Sequence, residues 1–173
     1  NSIGFLAGPG QVIALRGPMA SNALSQLFYE TVWGELDYLI VDLPPGTGDI
    51  QISLCSQVNL TGAVVVCTPQ DVALADARKG IALFQLPQIN VPILGLVENM
   101  AWFTPEELPE NKYYIFGKDG VKNLADELKV PLLSQIPLVQ SVREASDAGR
   151  PAVMQGSTPQ AICFMEMAQN VAT

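Results

Sequence analysis

Histidine is absent from the 173-residue chain, which removes Ser-His and Cys-His nucleophile pairs and every histidine-containing zinc site. Cysteine is sparse: Cys55, Cys67 and Cys163 are odd in number and widely spaced. A disulfide framework is not expected, and three core thiols in a reducing cytoplasm fit better. Nine basic residues stand against seventeen acidic ones, for a net charge of -8, so a polyanion-binding surface is not expected and nucleic acid is not the anticipated partner. No apolar run reaches the roughly 18 to 20 residues of a membrane span. A soluble, cytoplasmic chain with no membrane partner is therefore the expectation.

What is present is apolar material in short runs, 49% of the residues against 15% charged, which excludes disorder and suffices for one domain with a sizeable core. The segments Tyr38–Val41, Ala63–Cys67 and Ile93–Val97 are nearly continuous and mostly aliphatic, as in parallel strands covered on both faces. Between them lie helical periodicities. Met19 to Trp33 carries apolar residues on one side, Asp49 is placed to cap a helix with Ile50, Leu54 and Val58, and Asp71 to cap another toward Leu86. Asp119 opens an amphipathic stretch through Leu128, Val130-Pro131 begins a short strand ending near Ile136, and Thr158-Pro159 starts a terminal helix to about Val171. This βα rhythm predicts an α/β fold in one domain, a doubly wound, mostly parallel sheet with helices on both faces. Ala101 to Lys112, with Pro105, Pro109 and several glutamates, is expected to be an inserted surface loop.

The richest segment is Tyr38-Leu-Ile-Val-Asp-Leu-Pro-Pro-Gly-Thr-Gly-Asp49, a strand that ends in aspartate and turns through proline and glycine into a helix. A carboxylate at a strand's carboxyl end suits a nucleotide-bound Mg²⁺, which prefers hard oxygen ligands, directly or through water. Asp42 is that candidate. A glycine after it lets a backbone N–H approach a terminal phosphate with no Cβ in the way, which fits Gly46, with Gly48 beside it. The plainer alternative is a sharp βα turn in which Asp42 merely caps a strand.

The chain resembles the Mrp family of P-loop ATPases, bacterial iron-sulfur carrier proteins related to the MinD and ParA group. The resemblance rests on Leu15-Arg-Gly-Pro-Met19, the Asp37–Asp49 run, Thr68-Pro-Gln70, Val97-Glu-Asn-Met100, Ile115-Phe-Gly117, Ile136-Pro-Leu138 and Val142-Arg-Glu144, in the family's order. It implies a P-loop NTPase fold, binding of ATP and Mg, a homodimer, and carriage of Fe-S clusters to apo iron-sulfur proteins. By the same resemblance Asp42 acts at magnesium and Gly46 senses the γ-phosphate, while Asn99 reads the adenine edge and Pro137 and Leu138 lie beside the base. Asn99 also has an ordinary alternative, a turn amide bonded to its own backbone. Arg16 to Met19 resemble a segment near the dimer partner, although Gly17-Pro18 also serves as a helix entry.

Two departures stand out. No Gly-Lys-Gly-Gly-x-Gly-Lys-Ser/Thr run occurs in these residues, so the phosphate cradle that stabilises phosphoryl transfer is missing. The 173 residues are expected to be the C-terminal portion of a longer ATPase, inactive alone, with ladder groups beside Tyr38–Val41 left unpaired or another element filling the missing strand's place. The family's Cys-x-x-Cys after an aromatic pair is also missing, for Trp102-Phe103 is followed by Thr104-Pro-Glu-Glu-Leu108. Cluster binding by thiolates of that loop is not expected, and Glu106, Glu107 and Glu110 offer a weak metal site or a solvated acidic loop. Two other readings compete: a MinD-like positioning switch, disfavoured because Gln160 to Thr173 contains no Lys or Arg to hold a membrane surface, and a non-catalytic interaction module.

Overall fold

A computed structural model describes residues 1–2, 18–105 and 107–173. Arg16, Gly17 and Glu106 lie outside the described residues. Two compact units divide the chain, Asn1–Leu60 with Pro87–Ile89, and Thr61–Leu86 with Asn90–Thr173.

The first unit pairs helix α1 (Pro18–Tyr29) with α2 (Asp49–Gln57). Ser21 and Ser53 share a hydroxyl hydrogen bond at 2.8 Å, and the Ser25 hydroxyl donates to Gln57 Oε1 at 2.6 Å. Small polar side chains thus let the two helices approach closely. Leu54 is buried, yet Met19 and Val32, both on the expected apolar face, are exposed.

Between the helices the expected buried strand does not form: residues 38–41 are irregular, with Tyr38, Leu39 and Ile40 exposed. The reason is pairing. A strand persists only where its N–H and C=O groups meet a ladder, and among the described residues no strand pairs with this segment, so water takes the backbone bonds.

The second unit holds a three-stranded sheet in the order β1 (Ala63–Cys67), β2 (Ile93–Phe103), β3 (Leu132–Leu138), parallel throughout. Helix α3 (Asp71–Phe84) links β1 to β2, and α4 (Gly120–Leu128) links β2 to β3. Both cover one face, where Cys67, Ile81, Leu96, Val121, Leu124 and Ala125 form a core. After β3 come α5 (Gln140–Asp147), which the sequence pattern had not marked, a short 3₁₀ turn (Ala152–Met154) and α6 (Pro159–Ala172). α6 covers the opposite face through Phe164, Met167 and Val171 against Val97, Leu133 and Ile136. Burial of each such aliphatic side chain contributes about 1.5–3 kcal/mol. The architecture is α/β, a parallel sheet with helices on both faces.

Local signals mostly hold. The Thr158 hydroxyl accepts from the Ala161 N–H at 3.3 Å, with Pro159 in the first helical turn. The N-cap positions of α2 and α3 are Gly48 and Gln70 rather than Asp49 and Asp71, which fall in the first turns instead. There their charge still complements the helix dipole. β1 departs from the expectation of cover on both faces: Val64 and Val66 are exposed while Cys67 is buried. β2 is the central strand, and Gly95 to Glu98 are buried in sequence.

Candidate functional site

The candidates fall into two groups, one in each unit. In the first unit Asp42 is exposed at the end of the irregular segment. Gly46 follows with φ +100°, a left-handed conformation that side chains rarely adopt, and no atom would lie within 4 Å of a Cβ there. Glycine is thus required for backbone shape rather than for space. The turn is fastened from α2: Gln51, buried, donates from Nε2 to the Pro44 carbonyl at 2.7 Å. Gln51 carries no motif, and only its place among the apolar residues of α2 hints at a buried amide.

In the second unit Asn99 stands near the carboxyl end of β2 and pairs with Ile136 of β3, so that Pro137 and Leu138 follow directly on the neighbouring strand. The register then shifts between Asn99 and Phe103, and Met100 takes φ +53°. Asn99 Oδ1 accepts the Met100 N–H at 3.0 Å, so the amide does bond its own backbone. Its NH₂ group makes no hydrogen bond among the described residues, and the oxygen keeps a second lone pair. The side chain, half-buried, can therefore still donate and accept at a planar polar edge.

Directly before it, Glu98 is 1% exposed. Its Oε2 accepts the Val121 N–H at 2.8 Å and its Oε1 accepts from Gln135 Nε2 at 2.8 Å. Gln135 also reaches Asp119 Oδ1 at 3.3 Å. The carboxylate sits at the amino end of α4, where unpaired N–H groups and the helix dipole favour negative charge. Gly120 lets that end come in close, because a Cβ there would overlap the Pro69 carbonyl oxygen in the Thr68-Pro-Gln70 turn. Sequence reasoning quoted Glu98 within a motif without giving it a role. A charged residue closing the apolar run Ile93–Val97 was the available signal.

The expected acidic loop is only partly a loop. β2 runs on to Phe103, Phe103 and Tyr113 form an antiparallel bridge, and the Lys112 ammonium lies 3.9 Å from the centre of the Trp102 ring. Among the described residues no group of three or more His, Cys, Asp or Glu is arranged to hold a metal ion. Cys55, Cys67 and Cys163 are all free thiols. Burial pushes the pKa of each above the ordinary thiol value of 9.0, which disfavours the thiolate that would ligate iron. For a nucleotide the donor set fits better: a lone carboxylate suits a magnesium ion that keeps most of its waters and takes oxygens from phosphates, and the free edge of Asn99 suits a base.

The family model for the NUBPL iron-transfer P-loop NTPases matches residues 1–172. The chain belongs to that family. An iron-sulfur cluster carrier protein of Haemophilus influenzae is 48% identical over 176 residues, covering 100% of this chain and 46% of the relative. The iron-sulfur cluster transfer protein NUBPL of Dictyostelium discoideum is 45% identical over 171 residues, covering 98% of this chain and 52% of its own length. The chain thus spans about half the length of the curated relatives it matches. Among solved structures, a nucleotide-binding protein of Archaeoglobus fulgidus in complex with ADP aligns with TM-score 0.70 at 33% identity, over 83% of this chain and 57% of that one. MinD of Pyrococcus horikoshii with Mg-ADP aligns with TM-score 0.60 at 23% identity, over 88% of this chain and 55% of its own, a likeness of fold. No helix among the described residues is long and apolar enough to cross a membrane.

Proposed function

We propose that this chain serves an ATP-binding iron-sulfur cluster carrier of the Mrp type, in which adenine is read by Asn99 between the strand ends of β2 and β3. The observation that carries the reading is the unspent amide edge of Asn99 beside Pro137 and Leu138. In open α/β sheets ligands bind outside the carboxyl ends of the strands, and the likeness to a nucleotide-binding protein of Archaeoglobus fulgidus in complex with ADP supports a nucleotide as the ligand. In the first unit, by resemblance to the family, Asp42 would hold a nucleotide-bound Mg²⁺ through water and Gly46 would offer its N–H to a γ-phosphate. Magnesium, when bound, neutralises charge on the phosphates. This chain's own part is to orient the nucleotide: Pro137 and Leu138 supply an apolar wall, and Asn99 supplies a donor and an acceptor in one plane.

The protein works as a cytoplasmic homodimer, one domain per nucleotide, and passes clusters to apo iron-sulfur proteins. The cluster is cargo, and the three buried or half-buried thiols of this chain are not its ligands. Hydrolysis draws on a phosphate loop that these 173 residues do not contain. A thermal-shift assay tests the reading, because a ligand of the native state raises its stability by mass action. The intact protein gains stability with Mg-ATP and these 173 residues alone do not. Retention of iron and sulfide after reconstitution, followed by transfer to an apo-acceptor, tests the carrier role, and failure of both steps removes it. A MinD-like positioning switch is the second reading, supported by likeness of fold alone. It predicts ATP-dependent sedimentation with liposomes, which an α6 without Lys or Arg does not favour.

A further inference from the structure

A carboxylate as deeply buried as Glu98 is costly unless each oxygen is engaged, and an aliphatic side chain would fill the same space at lower cost. Here both oxygens are engaged, each with a different element. One takes the second N–H of α4 and the other takes the amide of Gln135 on β3, both at 2.8 Å. A carboxylate only accepts, so Gln135 is held with its NH₂ toward β2. Glu98 therefore ties three elements at one point. The next residue of β2 is Asn99, and Gln135 precedes Ile136, Pro137 and Leu138. One residue of strand is about 3.3 Å, so any slip of β3 against β2 at Glu98 reaches the base-reading groups almost undiminished.

The orientation of the Asn99 amide is the second consideration. The Met100 N–H pins Oδ1, and the peptide that carries this N–H follows Asn99, the residue next to the clamped Glu98. An amide held one way round tells an amino group from a carbonyl at the six-position of a purine, whereas an amide free to flip accepts either. We infer that Glu98, acting through Gln135 and the amino end of α4, is a positioning residue that sets the preference of the site for adenine over guanine. The inference rests on the reading of Asn99 as the base reader.

The test measures dissociation constants for ADP and GDP by calorimetry on the intact protein, with Glu98→Gln and Gln135→Met beside the parent and Asn99→Ala as the control. Glu98→Gln sets an amide NH₂ against that of Gln135. Gln135→Met keeps the bulk of a half-buried side chain and removes the donor, and it decides the matter should Glu98→Gln not fold. The expected result is a fall of about tenfold in the GDP-to-ADP ratio of dissociation constants, equivalent to about 1.4 kcal/mol, with unchanged circular dichroism. A merely structural role would weaken both nucleotides alike and leave the ratio where it was, which overturns the inference. Should the ratio fall in Asn99→Ala and stay at the parent value in the other two, Glu98 is excluded while the base reader stands. Should Asn99→Ala itself keep the ratio, the base reader and the role of Glu98 fail together.

Discussion

Gln51 Nε2 meets the Pro44 carbonyl oxygen at 2.7 Å, tying the Pro44-Pro45 turn to the helix that follows it. The amide is 4% exposed, so replacing it with an apolar side chain leaves the carbonyl without that donor. Gln51→Leu is expected to lower unfolding free energy by about 1–2 kcal/mol. Urea denaturation checks this, and an unchanged midpoint would mean that the turn holds its shape without the amide.

Gly46→Ala forces a Cβ onto a backbone at φ +100°. Open space around the position offers no relief, because the strain is within the residue itself. A loss of about 1–3 kcal/mol is expected, together with loss of the Mg-ATP thermal shift of the intact protein. Normal stability in the alanine variant would show that the turn readily adopts another conformation.

Asn99→Asp separates the two uses of that side chain. The aspartate keeps an acceptor for the Met100 N–H, so melting is expected to stay near that of the parent, but it has no NH₂ to donate. Affinity for ADP should fall about tenfold for one lost hydrogen bond. Equal affinity would leave Asn99 with its backbone role alone.

Arg78 and Glu127 form a two-point ion pair, with nitrogen–oxygen distances of 2.7 and 2.6 Å. The hydrogen bond from Arg78, aided by its charge, holds the Glu127 carboxyl below the ordinary 4.5, and the Arg78 guanidinium is raised in return. A carboxyl depressed on folding stabilises the fold above its unfolded pKa, and that gain disappears as pH falls through the folded value. The exposure of both side chains keeps the effect small. Arg78→Gln should therefore differ from the parent at neutral pH and converge with it once Glu127 is protonated in both states, as chemical denaturation across pH 2–7 would reveal. A difference that persists at the acid end would assign the effect to packing instead of charge.

Cys67 is buried at the end of β1, and its thiol donates to the Thr68 carbonyl at 3.1 Å. Desolvation, then the nearby charges of Glu98 and Asp76, push its pKa up, partly offset by the backbone of Thr68. Alkylation at neutral pH should leave Cys67 untouched until the second unit unfolds. Labelling followed by peptide mass analysis gives the rate, and rapid modification of the native chain would contradict the burial.

The three strands of the sheet and every helix except α5 were legible because their signals are local. Thr158-Pro159 starts α6 through a hydroxyl and a fixed φ, and Ala63–Cys67 matches β1 to the residue. Helix α5 was missed because Gln140–Asp147 is polar almost throughout and buries only Ala145, so no apolar stripe announces it. Tyr38–Val41 misled for the opposite reason: its composition satisfies any strand propensity, yet no ladder among the described residues receives it. Asn99, Pro137 and Leu138 were found through family motifs, and their adjacency emerged only from the β2–β3 register.

By itself the order of residues determined which chemistry this chain has and lacks. It has an Asp-Leu-Pro-Pro-Gly turn and an Asn near the end of an apolar run, and it has neither histidine nor a thiol pair where a cluster would sit. Those are properties of side chains, present before any folding. The tertiary structure decided what each group is bonded to: that Glu98 spends both oxygens on α4 and β3, that Asn99 spends one lone pair on Met100, and that Tyr38 to Ile40 face water. Such outcomes depend on partners far along the chain, and only strand register and helix docking bring those partners within hydrogen-bonding distance.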